Sequence, residues 1–423
     1  EGLIWFATYG GGPVSFDPHG VRPATLNEPG KRRAERFVED STGKIWLRGN
    51  RNPDGDNWFG FIADGGLQIV EEWPSGGPIS VLDVDAEGQV LVGDTRQLRR
   101  LCDGRLDTVD LGTEGIGWSV TALCVRADRT LALGLTNGED PSLLRLALLT
   151  KGRLEVLWEG QRPRGSRIDH LVAGTDGVLW FHIRHPGQVG AVVHEEAEVE
   201  RLGRWSATET VSWCNLGRNV LNDLLVDCHG KVWCATLKGI LRLEGRDFEQ
   251  VPVSIGMDTD SAVFCSMEDR RGRLWFGTRL GLLCYNGKVF QALNNLTTSG
   301  VFALYEDGQG RIWLGTDPHC SYYRPLDIPP LVRVQRVVAD RIYEQEPTVE
   351  CTVSTEPVVF EFKGLSFRTH PRNMLYTWKL HGCDDVWSPP RRLLKAVYEE
   401  LQAGEYVFEV QAIDRDLNTS QSA

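Results

Sequence analysis

The sequence predicts an all-β chain: a single β-propeller followed by a small immunoglobulin- or fibronectin-like β-sandwich. Three observations lead there. A tryptophan-centred motif recurs along most of the 423 residues. Each copy lies among short strand-like runs joined by Gly and Asp turns. After the last copy the repeat stops, and a non-repeating stretch of alternating apolar and polar residues begins.

The motif is Gly-x-apolar-Trp-apolar, with an acidic residue commonly two to four positions before the Gly. It reads "GLIWFAT" with Trp5, "DSTGKIWLRG" with Trp46, "GTDGVLWFHI" with Trp180, "DCHGKVWCAT" with Trp233, "DRRGRLWFGT" with Trp275 and "DGQGRIWLGT" with Trp313. Two degenerate copies fill the gap: "DAEGQVLVG" puts Leu91 in the Trp slot, and "RADRTLALG" puts Ala132 there. The slots are spaced by about 40–50 residues, the period of propeller blades. Eight motifs predict eight blades, the first incomplete, with seven blades and a stray motif as the other count.

Within one period an apolar run such as "VFALYED" (301–307) forms innermost strand A. An Asp/Gly turn leads to the Trp strand B, a second turn to strand C ("GLLCYNG"), and a hairpin to strand D ("KVFQAL"). A lone meander cannot cover both its faces, whereas radial packing buries the Trp rings between sheets. The Trp series is therefore packing material. Leu91 and Ala132 fill less volume, so their blades are expected to be the loosest.

The net charge of −12, from 46 Lys+Arg against 58 Asp+Glu, argues against nucleic acid as a partner. No run of about 18 apolar residues spans a membrane. The opening "EGLIWFATYG" begins at a strand B, so the chain is expected to be a fragment cut at its N-terminus. The ten cysteines (102, 124, 214, 228, 234, 265, 284, 320, 351 and 383) form no CxxC pair and lack zinc-site spacing. Buried free thiols are favoured over disulfides, which counts mildly against an oxidising compartment. No cofactor and no metal is expected.

The propeller is assigned to residues 1–328. A Pro-rich hinge, "RPLDIPPLVRV" (324–334), leads into residues 329–423. There "VVFEFKGLSF", "MLYTWKL" and "GEYVFEVQAID" alternate as in an antiparallel sandwich. This domain is expected to be truncated at "DRDLNTSQSA", before a final strand could close the sheet.

The stretch "MLYTWKLHGCDDVWSP…AVYEELQAGEYVFEVQAID" resembles the triple-tyrosine (Y_Y_Y) domain. Tyr376, Tyr398 and Tyr406 stand at its tyrosines, with Trp387 in a "D-x-x-W" element and Gly404 before the last Tyr. The preceding motifs resemble the two-component regulator propeller repeat. That order resembles the extracytoplasmic sensor half of bacterial sensor histidine kinases, often hybrid. The resemblance implies a periplasmic location, a dimer in the full-length protein, and a membrane helix and output domain downstream. It implies no catalysis by this chain itself.

In a blade meander the B–C turns and the D-to-A connectors emerge on one face. Those turns hold Tyr9, Arg48, Arg96, Asn137, Arg184 with His185, Lys238, Arg279 and His319; the connectors bring Trp73, Trp118, Trp205 and Trp213. Cations beside indoles suit an oligosaccharide or other polyanionic small molecule, through stacking and guanidinium forks. The expected ligand-binding set is Arg184, Lys238, Arg279, His319, Trp118 and Trp213. Two other classes remain open. A lyase-type enzyme, resembling the streptogramin lyases, would need a base and metal from His182, His185 and His319, or carboxylates from Asp94, Glu139, Asp140 and Asp317. A protein-interaction scaffold would need an exposed apolar patch.

Overall fold

A computed structural model describes the chain except residues 1–3, 9–11, 17–20, 25–30, 53–56, 64–65, 74–79, 95–96, 186–199, 218, 254–260, 295–299, 317–319, 345, 352–356 and 367. It divides into two compact units. One is Val21–Arg324; the other combines Glu1–Gly20 with Pro325–Ala423.

The first unit is a propeller of seven four-stranded antiparallel sheets among the described residues. Strands A to D of blade 1 are Lys31–Glu39, Ile45–Asn52, Asn57–Ala63 and Gly66–Trp73. Blade 2 is Val81–Val84, Val90–Gly93, Leu98–Cys102 and Arg105–Thr108. Blade 3 is Trp118–Val125, Leu131–Asn137, Leu143–Thr150 and Arg153–Gln161. Blade 4 is Arg167–Ala173, Leu179–Arg184, Glu200–Ser206 and Glu209–Gly217. Blade 5 is Leu221–Val226, Val232–Thr236, Gly239–Glu244 and Asp247–Gln250. Blade 6 is Val263–Glu268, Leu274–Thr278, Gly281–Tyr285 and Phe290–Asn294. Blade 7 supplies Val301–Glu306, Ile312–Thr316 and Cys320–Tyr323, and its strand D is Val21–Ala24 from the start of the chain.

That borrowed strand decides the blade count. Val21 to Ala24 pair with Tyr323 to Cys320, so the early chain completes the last sheet. Each strand A neighbours the next around the ring, and that of blade 7 neighbours that of blade 1. The Trp5 motif does not found an eighth blade. Among the described residues its strand, Ile4–Thr8, pairs with Gly12–Phe16 alone, in a two-stranded sheet.

The acidic residue of the motif plays a specific part. In blade 5, Asp227 Oδ1 accepts the backbone N–H groups of His229 and Lys231, while Oδ2 accepts the Trp233 indole N–H at 2.8 Å. The same clasp joins Asp40 to Trp46, Asp269 to Trp275 and Asp307 to Trp313. One carboxylate thus fixes the A–B turn and satisfies a donor that burial would otherwise orphan. Blade 2 has Leu91 in the Trp slot, and there Arg100 Nε stands 2.9 Å from Asp85. Blade 3 has Arg126 in place of the Asp. At the turn glycine's position it carries Arg129 in the left-handed region, φ 69°, a conformation that Gly takes without steric cost.

Leu91 and Ala132 are both completely buried, among the leucines of the blade 3 strands.

A second set of carboxylates links neighbouring blades at these turns. Glu268 accepts from Cys228 N, Glu306 from Arg270 N, and Glu39 of blade 1 from Gly308 N of blade 7 at 2.6 Å. Gly315 lets the same two blades close up, since a Cβ there would lie 2.5 Å from the Ala34 carbonyl oxygen.

The second unit carries a four-stranded sheet in the order Ile342–Glu344, Leu331–Val338, Val358–Leu365 and Lys395–Tyr398, and a two-stranded sheet of Leu375–His381 with Val407–Ile413. Val332, Phe362, Met374, Tyr376, Ala396, Val410 and Ala412 form its core, as in a sandwich. The three tyrosines play different parts. Tyr376 is buried and its hydroxyl accepts from Gly364 N; Tyr398 donates to Asp384 Oδ2 at 2.6 Å; Tyr406 donates to the Gln402 carbonyl.

Candidate functional site at the centre of the ring

The residue five positions before each A–B turn Asp, or its counterpart, lies on the innermost strand or, in blade 2, immediately before it. Around the ring these are Glu35, Ser80, Thr121, Asp169, Asn222, Phe264 and Phe302. In every blade but the second, the strand A register slips at this residue, a β-bulge that takes it out of the ladder. Bulges re-aim side chains, and here six of them, with Ser80 at the matching place in blade 2, set variable groups on one regular frame.

Two of them, and His170 next to Asp169, tie the blades together. Ser80 Oγ donates to the Val120 carbonyl, His170 Nε2 to that of Asn222, and Asn222 Nδ2 to that of Val263. Phe264 and Phe302 differ, being half-buried and stacked on each other with centroids 4.8 Å apart. The Arg33 guanidinium lies over the Phe302 ring at 4.8 Å. A Cβ at Gly300 would be 3.2 Å from Phe264, 3.3 Å from Phe302 and 3.5 Å from Arg279 Cα, so the Arg279 turn borders this aromatic wall.

Blade 1 adds charge. Glu35 pairs with Arg33 at 2.7 Å and with Arg48 at 3.3 Å. Burial lowers the pKa of Arg48; Glu35 opposes this, and the nearby charges of Arg36 and of Arg167 in blade 4 add to it. Arg36 reaches Asp83 at 3.4 Å, whose pKa burial pushes up against that guanidinium. In blade 4, Asp169 meets His182 Nδ1 at 2.7 Å and His170 Nδ1 at 3.0 Å, and accepts from Arg184 Nε. Burial works against the Asp169 carboxylate, yet His170 and His182 hold its pKa well below the ordinary value.

The expected ligand set meets this geometry unevenly. Lys238 and Arg279 are exposed on equivalent turns of blades 5 and 6, with no ion pair among the described residues. Arg184 is not free: it holds Asp169 and donates through Nη2 to the Leu221 carbonyl at 2.8 Å, a strut between blades 4 and 5. Trp118 begins a strand A and is buried between blades 2 and 3, with Arg145 over its ring at 4.1 Å. Trp213 lies in a strand D, packed edge-on against Trp158 and Phe181 between blades 3 and 4. Trp205 joins the same core. These three indoles are packing, because the blade 3 and blade 4 strands run further than the motif spacing indicates. His319, Asp317, Arg96, Tyr9 and the side chain of Trp73 lie outside the described residues.

The lyase candidates are dispersed. His185 Nδ1 contacts Ser166 Oγ, Asp94 pairs with Arg99, and Asp140 accepts from Ser142. Among the described candidates, His182 is the one that reaches the Asp169 cluster. A depression of about 400 Å³ on the A–B-turn side is lined by Cys228, Met267, Asp269, Tyr305 and the clasping Glu268 and Glu306, away from the bulge residues.

Residues 258–279 and 295–317 match the two-component regulator propeller model, and residues 368–423 match the Y_Y_Y domain model. No curated protein matches the chain. Among solved structures, it is similar to the extracellular domain assigned to a hybrid two component system of B. thetaiotaomicron, at 15% identity and a TM-score of 0.54. The match covers 99% of this chain and 59% of that one, so the chain spans less than two thirds of that domain's length. The propeller is also similar to a catalytically inactive virginiamycin B lyase from Staphylococcus aureus, at 12% identity and a TM-score of 0.50, over 71% of this chain and 98% of that one. At these identities the likeness is one of fold. Within the chain, residues 258–279 and 295–317 are thus two-component regulator propeller repeats, and residues 368–423 that follow them are a Y_Y_Y domain.

Proposed function

We propose that the chain is the ligand-sensing, extracytoplasmic region of a bacterial transmembrane signalling protein of the sensor histidine kinase type. The domain order supports this reading, as does the likeness to an extracellular domain assigned to a hybrid two component system. The chain itself has no turnover, and in the full-length protein it works as a dimer.

The ligand is an acidic oligosaccharide or a similar polyanionic small molecule, held at the centre of the ring on the B–C side. The stacked Phe264–Phe302 pair, with the Arg279 turn at its edge, is the observation that carries this ligand class. Aromatic faces take the C–H faces of a sugar ring, and a neighbouring guanidinium takes its carboxylate or sulfate. Lys238 on the equivalent turn of blade 5 adds a second cation.

The free cysteines are compatible with an extracytoplasmic location. Burial raises the thiol pKa of Cys124 and Cys320 to about 12 and that of Cys265 well above its ordinary value, so these thiols stay protonated and react slowly. A glycan array probed with the whole chain tests the ligand class. Retention on sulfated or uronate-containing glycans supports it; retention on none, or on neutral glycans alone, overturns it.

A further inference from the structure

Asp169, His170 and His182 bring one ligand atom each within 4.8 Å of the others, next to the centre of the ring. Asp169 Oδ1 is 2.7 Å from His182 Nδ1 and 3.0 Å from His170 Nδ1. Adjacent ligands on a divalent ion with bonds of about 2.0–2.2 Å lie roughly 2.9–3.4 Å apart. Shifts of a few tenths of an ångström would therefore seat an ion among these atoms.

The tautomer of His170 is the deciding detail. Its Nε2 faces the Asn222 carbonyl oxygen at 2.9 Å, an atom that can only accept, so Nε2 carries a proton. Its Nδ1 is buried and makes no well-formed hydrogen bond, although Asp169 Oδ1 is close by. With Nε2 protonated, that nitrogen either carries a second proton shared with Asp169 or turns a lone pair toward the carboxylate, a contact that is unfavourable unless something stands between them. A cation between them turns repulsion into coordination. Fixing a remote ring N–H on a backbone carbonyl is also how ligating histidines are usually oriented. Arg184 holds the other Asp169 oxygen and leaves Oδ1 to the ion. A second carboxylate, Asp223, stands beside the same imidazole, with Oδ1 4.0 Å from His170 Nε2.

We infer that Asp169 Oδ1, His170 Nδ1 and His182 Nδ1 bind one divalent transition-metal ion of the zinc class. Two imidazoles and one carboxylate select such an ion over magnesium or calcium, which prefer oxygen donors. Three protein ligands leave a coordination position for water or a ligand donor. Sequence reasoning expected no metal, because residues 169 and 182 are brought together only by the pairing of strands A and B.

Titrating the whole metal-free chain with zinc by calorimetry tests this. One equivalent per chain is expected, weakened at least tenfold in His170→Ala and Asp169→Asn and unchanged in the control His381→Ala, each with wild-type circular dichroism. Cobalt keeps the test open if a variant fails to fold. Visible d–d bands without a thiolate charge-transfer band in the wild-type chain support imidazole and carboxylate ligation. No stoichiometric binding, equal affinity in the variants, or a thiolate band would overturn it and leave a proton on His170 as the occupant.

Discussion

The indole N–H of Trp275 donates to Asp269 Oδ2 at 2.7 Å, and both residues are buried. With its counterparts in blades 1, 5 and 7, this pair explains why the motif couples an acidic residue to a Trp six positions later. Trp275→Ala should destabilise the propeller by about 3–5 kcal/mol through the cavity it leaves. Asp269→Ala should cost about 1–3 kcal/mol by orphaning the indole donor. Urea unfolding of the purified chain checks both, and a loss under about 1 kcal/mol for Trp275→Ala would contradict the packing role.

Glu39 and Gly308 join the first and last blades although 269 residues separate them. Glu39→Ala should speed hydrogen exchange at Gly308 and along Val21–Ala24 more than in blades 3 and 4. Uniform exchange in the variant would show that closure rests on strand pairing alone.

Much of this frame was legible in the sequence, since every motif residue acts locally, with Asp in the turn, Gly at positive φ and Trp between sheets. The blade count was not, because whether strand Val21–Ala24 pairs with Tyr323 or founds a blade depends on where the ring closes. The bulge residues were missed although a signal existed, the fixed offset of five before the turn Asp. Glu35, Asp169 and Phe302 differ too much in chemistry to look like one position. Conversely, Trp118 and Trp213 looked like exposed stacking walls because strand lengths in blades 3 and 4 cannot be read from motif spacing.

Three of the ten cysteines, Cys228, Cys351 and Cys383, are exposed. A thiol reagent should label these three quickly in the native chain, the half-buried Cys102, Cys124 and Cys214 slowly, and all ten in denaturant. Fewer than ten thiols in fully denatured, unreduced protein would reveal a disulfide and contradict the free-thiol structure.

Burial raises the pKa of Asp414 in the second unit from 3.8 to about 6, against the hydrogen bonds from Asn418. The folded state then holds its proton where the unfolded state has released it. Stability linked to this group is fully present below pH 3.8 and is lost as pH rises through about 6, by up to roughly 3 kcal/mol. Asp414→Asn should flatten that dependence in thermal melts between about pH 4 and 7. An unchanged slope would mean that Asp414 ionises normally in the folded chain.

The most direct test is calorimetry of the whole chain with an acidic glycan retained on the array and with its neutral counterpart. Arg279→Ala should weaken the acidic ligand by up to about fivefold, the range of an exposed charge pair, and leave the neutral one unaffected. Phe302→Ala should weaken both, since it removes half of the aromatic wall, while folding as judged by circular dichroism stays intact. Wild-type affinity for the acidic glycan in both variants would contradict a ligand site at the centre of the ring.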